Sequence, residues 1–247
     1  MITLYHEWDS VCSFKVRMCL GEKGLSWDGK HIDLPRFEHL RPEYLALNPN
    51  GVVPTLIHDG HVIIESTVIN EYLDEVFPDP VLKPEDPLER AAMRVWVKYE
   101  DDHLHHSVRP ATFQLMIKPR MKRMTKQQIR DYVANHPKPE RAEAYVEWAS
   151  GPVDEKEVAK SRDMLTQALE RMEAALGRGS WLAGSRFSLA DVAVAPFIDR
   201  IEHLRFTDLW SARPLVQGWI ERIKARPSYA AALPPDAFRL PEPQWAA

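Results

Sequence analysis

The stretch from Asn48 to Asp74 limits the fold more than any other part of the chain. A Pro-punctuated loop, two short apolar runs about a tight turn, and an apolar-periodic helix follow one another without a gap. Thr55-Leu56-Ile57 and Val62-Ile63-Ile64 flank Asp59-Gly60, and an Asp-Gly pair tolerates the positive φ that a type I′ turn needs at both central positions, so the spacing predicts a β-hairpin. Val68, Ile69, Tyr72, Leu73, Val76 and Phe77 then recur at helical spacing, which puts Ser66 and Thr67 at the helix start. Pro54 follows Val53 where the loop turns into a strand, and an X-Pro bond reaches the cis form at a cost of only about 0.5–1 kcal/mol. A cis Val53-Pro54 bond would aim the Val53 N–H and C=O outward, free to pair with a peptide. The helix start beside them offers unpaired N–H groups and a positive dipole end to a carboxylate. Together these features suit a short acidic peptide.

Upstream, Ile2–Tyr5 reads as a strand and Val11–Lys23 as a helix closed by Gly24 in the left-handed C′ position. Trp27–Asp33 is a weak second strand and Pro42–Leu47 a short helix. The order βαβ then ββα is the thioredoxin-like plan. A Pro-rich, acidic segment from Phe77 to Pro87 breaks the pattern, and no good strand signal follows it. The expected organisation is an α/β domain over 1–80, a linker over 81–87, an all-helical bundle over 88–233, and an irregular Pro-rich tail over 234–247. In the bundle, one helix is expected from Leu88 to Met116 with Val95, Tyr99, Leu104 and Val108 inward. A capped helix is expected from Met124-Thr125, with a break at His136–Pro139. A long helix is expected from Asp154 to Leu176. Ser188-Leu189-Ala190-Asp191 has the spacing of a capping box, with Phe187 placed for a hydrophobic staple.

At 247 residues and 45% hydrophobic, the chain can bury one large core or two modest ones, and two domains are expected. A net charge of −4 with both signs well mixed gives no basic stripe for nucleic acid and no polybasic or amphipathic membrane anchor. The first residues lack a signal-peptide pattern, and no apolar run approaches the ~20 residues of a membrane span. Cys12 and Cys19 fall on the same helix, about 10 Å apart along its axis, too far for a disulfide, so a reducing cytoplasm is the expected setting. His103, His105 and His106 beside Asp101 and Asp102 invite a metal reading. No second ligand pair accompanies them, and none is expected to be bound.

The Asn-Pro-Asn-Gly-Val-Val-Pro run, the Glu65-Ser66 pair and the Ser-x-x-Asp box at Ser188 resemble the glutathione transferase family across nearly the whole chain. Glu65 through Pro78, Pro84-Glu85-Asp86-Pro87, Met93 through Trp96, and the long segment from Met124 to Pro152 are similar to its bacterial lignin β-etherase class and the related fungal etherase-like class. The resemblance implies glutathione as co-substrate, a hydrophobic small-molecule partner, a homodimer, and an enzyme that activates the thiol of glutathione against an aromatic electrophile, with β-aryl ether cleavage in scope. A Cys-dependent thiol transferase or reductase, a zeta-like isomerase and a non-catalytic binding module are the alternatives.

Glutathione chemistry needs the thiolate, and a thiol pKa near 8.5 falls beside a helix N-terminus and hydrogen-bond donors. Three residues at the start of the first helix could serve. Ser10, the expected N-cap, falls where zeta- and theta-like enzymes place an activating Ser and omega-like ones a Cys. Cys12 and Ser13 match the later positions of the zeta-like Ser-Ser-Cys-Ser motif, from which Val11 departs, and Ser13 aligns with the active-site Ser of the β-etherase class. Tyr5 matches the catalytic Tyr position of other classes and is read as strand packing. By the same resemblance Val53 and Pro54 hold the cysteinyl unit, Glu65 and Ser66 the γ-glutamyl end, and His39 the glycyl carboxylate. Tyr99, His103, His106, Arg109 and Phe113 are expected to wall the hydrophobic co-substrate site.

Overall fold

The computed structural model describes residues 1–133 and 140–244. In chain order the first half carries β1 (Ile2–His6), α1 (Val11–Glu22), β2 (Asp28–His31), α2 (Pro42–Leu45), β3 (Thr55–His58), β4 (His61–Ile64) and α3 (Ser66–Val76). The strands lie in the order β2-β1-β3-β4, with β1 parallel to β2 and antiparallel to β3. β3 and β4 form the expected hairpin, with φ of 48° at Asp59 and 85° at Gly60. Gly24, at φ 62°, ends α1 in a Schellman motif: Leu25 N–H donates to Leu20 C=O and Gly24 N–H to Gly21 C=O. The second strand and the short helix are each shorter than their sequence patterns, because only Asp28–His31 pairs with β1 and the helix is spent at Leu45. The Val53-Pro54 bond is cis.

The second half is helical. α4 (Pro87–Tyr99), α5 (His105–Thr112) and α6 (Lys118–Met121) run on from one another through π-helical turns at Glu100–Leu104 and Phe113–Ile117. This corrects the single regular helix expected over Leu88–Met116. Val95 is 53% exposed, while Met93 and Trp96 carry the inward face of α4. Each π turn takes up an extra residue, so side chains beyond it rotate away from the regular phase. α7 (Lys126–Val133) starts on a reciprocal box: Gln128 N–H donates to Thr125 Oγ1 at 3.1 Å and Thr125 N–H to Gln128 Oε1 at 2.8 Å. α8 (Glu140–Ser150) follows, and the break expected at His136–Pro139 lies outside the described residues. α9 (Glu155–Leu176) is capped by Asp154.

The remaining helices are α10 (Leu189–Val194), α11 (Pro196–His203), α12 (Pro214–Lys224) and α13 (Pro227–Ala232). The Ser188–Asp191 box is formed, and the Asp191 carboxylate does more than close it. It accepts from Leu182 N–H at 3.1 Å and from Trp219 Nε1 at 2.8 Å, so one buried acid ties three segments together.

A single apolar core runs from Leu4, Leu56 and Leu73 under the sheet through α1 to Leu104, Leu165 and Trp219 in the bundle. Buried ion pairs fix the seam: Lys15 of α1 meets Glu100 in the first π turn, and Asp9 meets Arg200 of α11. A second, smaller cluster joins Phe37 and Leu40 to Met121, Ile129 and Val146, which seats the long segment between α6 and α9 against the loop before α2. The Pro-rich end is docked along the seam as far as Gln244. Leu240 N–H donates to the Asp9 carboxylate, Arg239 pairs with Asp199 at 2.9 Å, and Gln244 N–H donates to Leu115 C=O at 2.9 Å.

Candidate active site

A cavity of about 800 Å³ opens between the sheet domain and the bundle. Its floor is the start of α1. Ser10 caps that helix from extended backbone, its Oγ accepting from Ser13 N–H at 3.2 Å. A hydroxyl used as acceptor keeps its own proton, so the Ser10 O–H remains available to donate into the cavity. Ser13 does not reach the cavity: it is fully buried one turn further on, and its Oγ faces the Glu7 N–H at 3.4 Å.

Cys12 does line the cavity, with its Sγ 3.8 Å from His105 Nε2. Burial pushes its thiol up to about 11, against the pull of Lys15 and a hydrogen bond with Ser66. His105 is held down at about 4, first by burial and then by the Arg109 and Lys15 charges. Near neutral pH the pair is therefore thiol and neutral imidazole.

The loop before β3 and the start of α3 form one wall. Val53 buries its side chain beside Ile32 and Tyr44, and among the described residues no internal hydrogen bond uses its N–H or C=O. Tyr44 Oη and Asn48 Nδ2 instead donate to the neighbouring Val52 C=O, at 2.6 and 2.9 Å, which steadies the loop. Glu65 sits at φ 69°, a left-handed conformation uncommon for a residue with a side chain. That geometry places its exposed carboxylate directly ahead of the α3 N-terminus, where Ser66 is buried at the cavity edge. His39 also lines the cavity, with its ring 6.0 Å from that of Phe37. Tyr5 packs with Tyr44, Ile32 and Val53 and is absent from the lining.

The bundle wall differs from the expected set. Arg109 and Phe113 line the cavity; Tyr99, His103 and His106 do not. Tyr99 lies under the Arg171 guanidinium at 4.1 Å and against His103 at 5.2 Å, and His103 and His106 are exposed. The first π turn falls between Tyr99 and His105, and it brings Asp101 and His105 to the cavity instead. Asp101 is held there by Lys15 Nζ at 3.3 Å and by the Thr67 hydroxyl, which donates at 2.8 Å. Among the described residues no group of three or more His, Cys, Asp or Glu side chains is arranged to hold a metal.

Two further walls come from the segment between the end of α6 and α9 and from the docked tail. Met121, Met124 and Tyr145 roof the far end, and Phe238, Arg239 and Leu240 of the docked tail close one side. Phe238 stacks on Trp8 at 6.2 Å and meets His31 edge-on at 4.7 Å. The signal available for the tail was its large apolar residues, Phe238 and Leu240 among them, in a Pro-rich end.

The glutathione S-transferase N-terminal domain model matches residues 9–76 and the C-terminal domain model residues 112–227. Protein LigF of Sphingobium sp. strain SYK-6 is 32% identical over 92% of this chain and 91% of its own. Its crystal structure, described as a β-etherase, superposes with a TM-score of 0.84 at 30% identity, covering 94% of this chain and 98% of that one. Glutathione S-transferase 3 of Zea mays is 31% identical over 89% of each chain. A tetrachloro-p-hydroquinone reductive dehalogenase of Sphingobium chlorophenolicum is 29% identical over 94% of this chain and 95% of its own. With both domain models matched in order and such identity along nearly its full length, the chain belongs to the glutathione S-transferase family, close to its etherase class.

Proposed function

We propose that the protein is a glutathione transferase whose thiolate is stabilised by Ser10 and attacks an aromatic electrophile, with β-aryl ether cleavage as the reaction. The observation that carries this reading is the contrast at the start of α1: a free hydroxyl at Ser10, a thiol held protonated at Cys12, and Ser13 turned into the core. Glutathione would lie with its cysteinyl backbone on the Val53 N–H and C=O. Its γ-glutamyl carboxylate would meet the α3 N-terminus at Ser66, its amine Glu65, and its glycyl carboxylate His39. The Ser10 O–H then donates to the sulfur and favours the thiolate, as does the nearby N-terminus of α1. In the ether reaction the thiolate forms a C–S bond as the C–O bond breaks, and the phenolate leaves with both bonding electrons to be protonated by solvent. The etherase assignment draws on the LigF likeness and on the roofed, aromatic far end of the cavity.

Work in the cytoplasm as a homodimer belongs to the same reading. Retention on glutathione-agarose with turnover of aryl ethers supports it; retention with no turnover of aryl ethers or aryl halides would leave only a binding module. A second reading, Cys12 acting through a mixed disulfide, has the Cys12–His105 contact in its favour. Its raised pKa weighs against it, because the thiolate is the attacking species. Turnover of disulfides but not aryl substrates, lost in Cys12→Ala, would select it.

A further inference from the structure

The bundle wall presents a cation, Arg109, to the cavity. Arg109 is half-buried in the cavity lining, and among the described residues no carboxylate forms an ion pair with it. Most of the other lining charges are paired internally; Glu65 is exposed and has no ion pair among the described residues. Arg200 pairs with Asp9, Arg239 with Asp199, Asp101 with Lys15, and Glu7 lies 3.2 Å from His31. Arg120 stands on the exposed rim, in water. Leaving a guanidinium partly desolvated without a counter-charge is unfavourable unless a ligand supplies one.

Its position along the helix matters as much as its charge. His105, Arg109 and Phe113 are spaced four residues apart and all line the cavity, so each step along this track is about 6 Å. The track begins at the thiol site, where His105 touches Cys12. It ends in aromatic surface: the Arg109 guanidinium lies over the Phe113 ring at 5.3 Å, and Phe113 packs on Trp148 at 5.7 Å. Contact with the Phe113 ring anchors the guanidinium, whose N–H groups can donate to a second, planar partner.

We infer that the co-substrate is an aryl electrophile bearing an anionic group, a carboxylate or phenolate, which pairs with Arg109 while the ring spans the distance back to the sulfur. The inference rests on the glutathione transferase reading and adds the substrate's charge to it. A guanidinium donates to a carboxylate in bidentate geometry, so a carboxylate para to the reacting arm is the best match.

Calorimetry with three ligands tests this: glutathione, S-benzylglutathione and S-(4-carboxybenzyl)glutathione. The wild-type protein should prefer the carboxybenzyl over the benzyl conjugate by about tenfold or more. Arg109→Gln should abolish that preference while changing the Kd of glutathione by less than about threefold, and Arg109→Lys should retain part of it. Equal binding of the two conjugates by the wild-type protein would overturn the inference and leave the glutathione reading standing. Loss of glutathione binding itself in Arg109→Gln, with Arg109→Lys still binding, would assign the residue to a glutathione carboxylate and overturn it as well. Failure of all three ligands to bind the wild-type protein would overturn both.

Discussion

Ser10, Cys12 and Ser13 lie within four positions, and the phase of one helix decides which of them face the cavity. Ser10 was legible as an N-cap because its residue type, the preceding Asp9 and the following apolar run are local signals. The burial of Ser13 was not, since it depends on how α1 is rotated against α13 and the sheet. The same limit explains the bundle wall: His103 and His106 share a regular helical face, and the π turn that presents His105 instead has no mark in residue type. Cys12 supplies a residue-level test. With its thiol at about 11, alkylation by iodoacetamide should be slow at pH 7 and still be accelerating above about pH 9. A rate that levels off near pH 8 would show an ordinary or activated thiol and favour the Cys-dependent reading.

The capping box before α10 was visible in the sequence as four letters, and its local hydrogen bonds form as the spacing predicts. Its long-range partners, Leu182 and Trp219, were not visible, because no local pattern encodes contacts across the bundle. Asp191→Ala leaves Leu182 N–H, Ser188 N–H and Trp219 Nε1 without their acceptor, at about 1–3 kcal/mol each when buried. Denaturant unfolding should therefore show a loss of at least about 3 kcal/mol; a loss below about 1 kcal/mol would contradict the hub. Burial raises the Asp191 carboxyl to about 6, so from about pH 4 to about pH 6 the folded state holds a proton that the unfolded state releases. This group's contribution to stability falls as pH rises through that window. Asp191→Asn should accordingly compare better with the parent protein at pH 7 than at pH 4, and the reverse order would refute the assignment.

The docked tail makes a second test at the scale of elements. It carries no periodic pattern, and its order comes from partners on other elements, Asp9, Asp199 and Leu115. Ending the chain at Pro235 removes Phe238 and Leu240 from one side of the cavity. The KM for an aryl substrate should rise by about threefold or more, with glutathione binding changed far less. An equal loss of both would mean that the tail supports the whole cleft.

Across the whole molecule, the thioredoxin-like order and the helical second half could be read from periodicity and turn chemistry, because each element declares itself locally. The cavity could not, since it exists only where Lys15–Glu100 and Asp9–Arg200 lock the two halves together and the segment around Met124 and Tyr145 roofs the gap. On the proposed reading, both halves are needed to hold a thiol at Ser10 in a partly desolvated setting. The most direct measurement is the thiolate absorbance of bound glutathione against pH in the parent protein and in Ser10→Ala, Ser13→Ala and Cys12→Ala. The bound thiol should ionise well below the ordinary value of about 8.5 in the parent, Ser13→Ala and Cys12→Ala proteins, and return toward that value in Ser10→Ala with glutathione still bound. A depressed pKa that survives in Ser10→Ala would contradict the account.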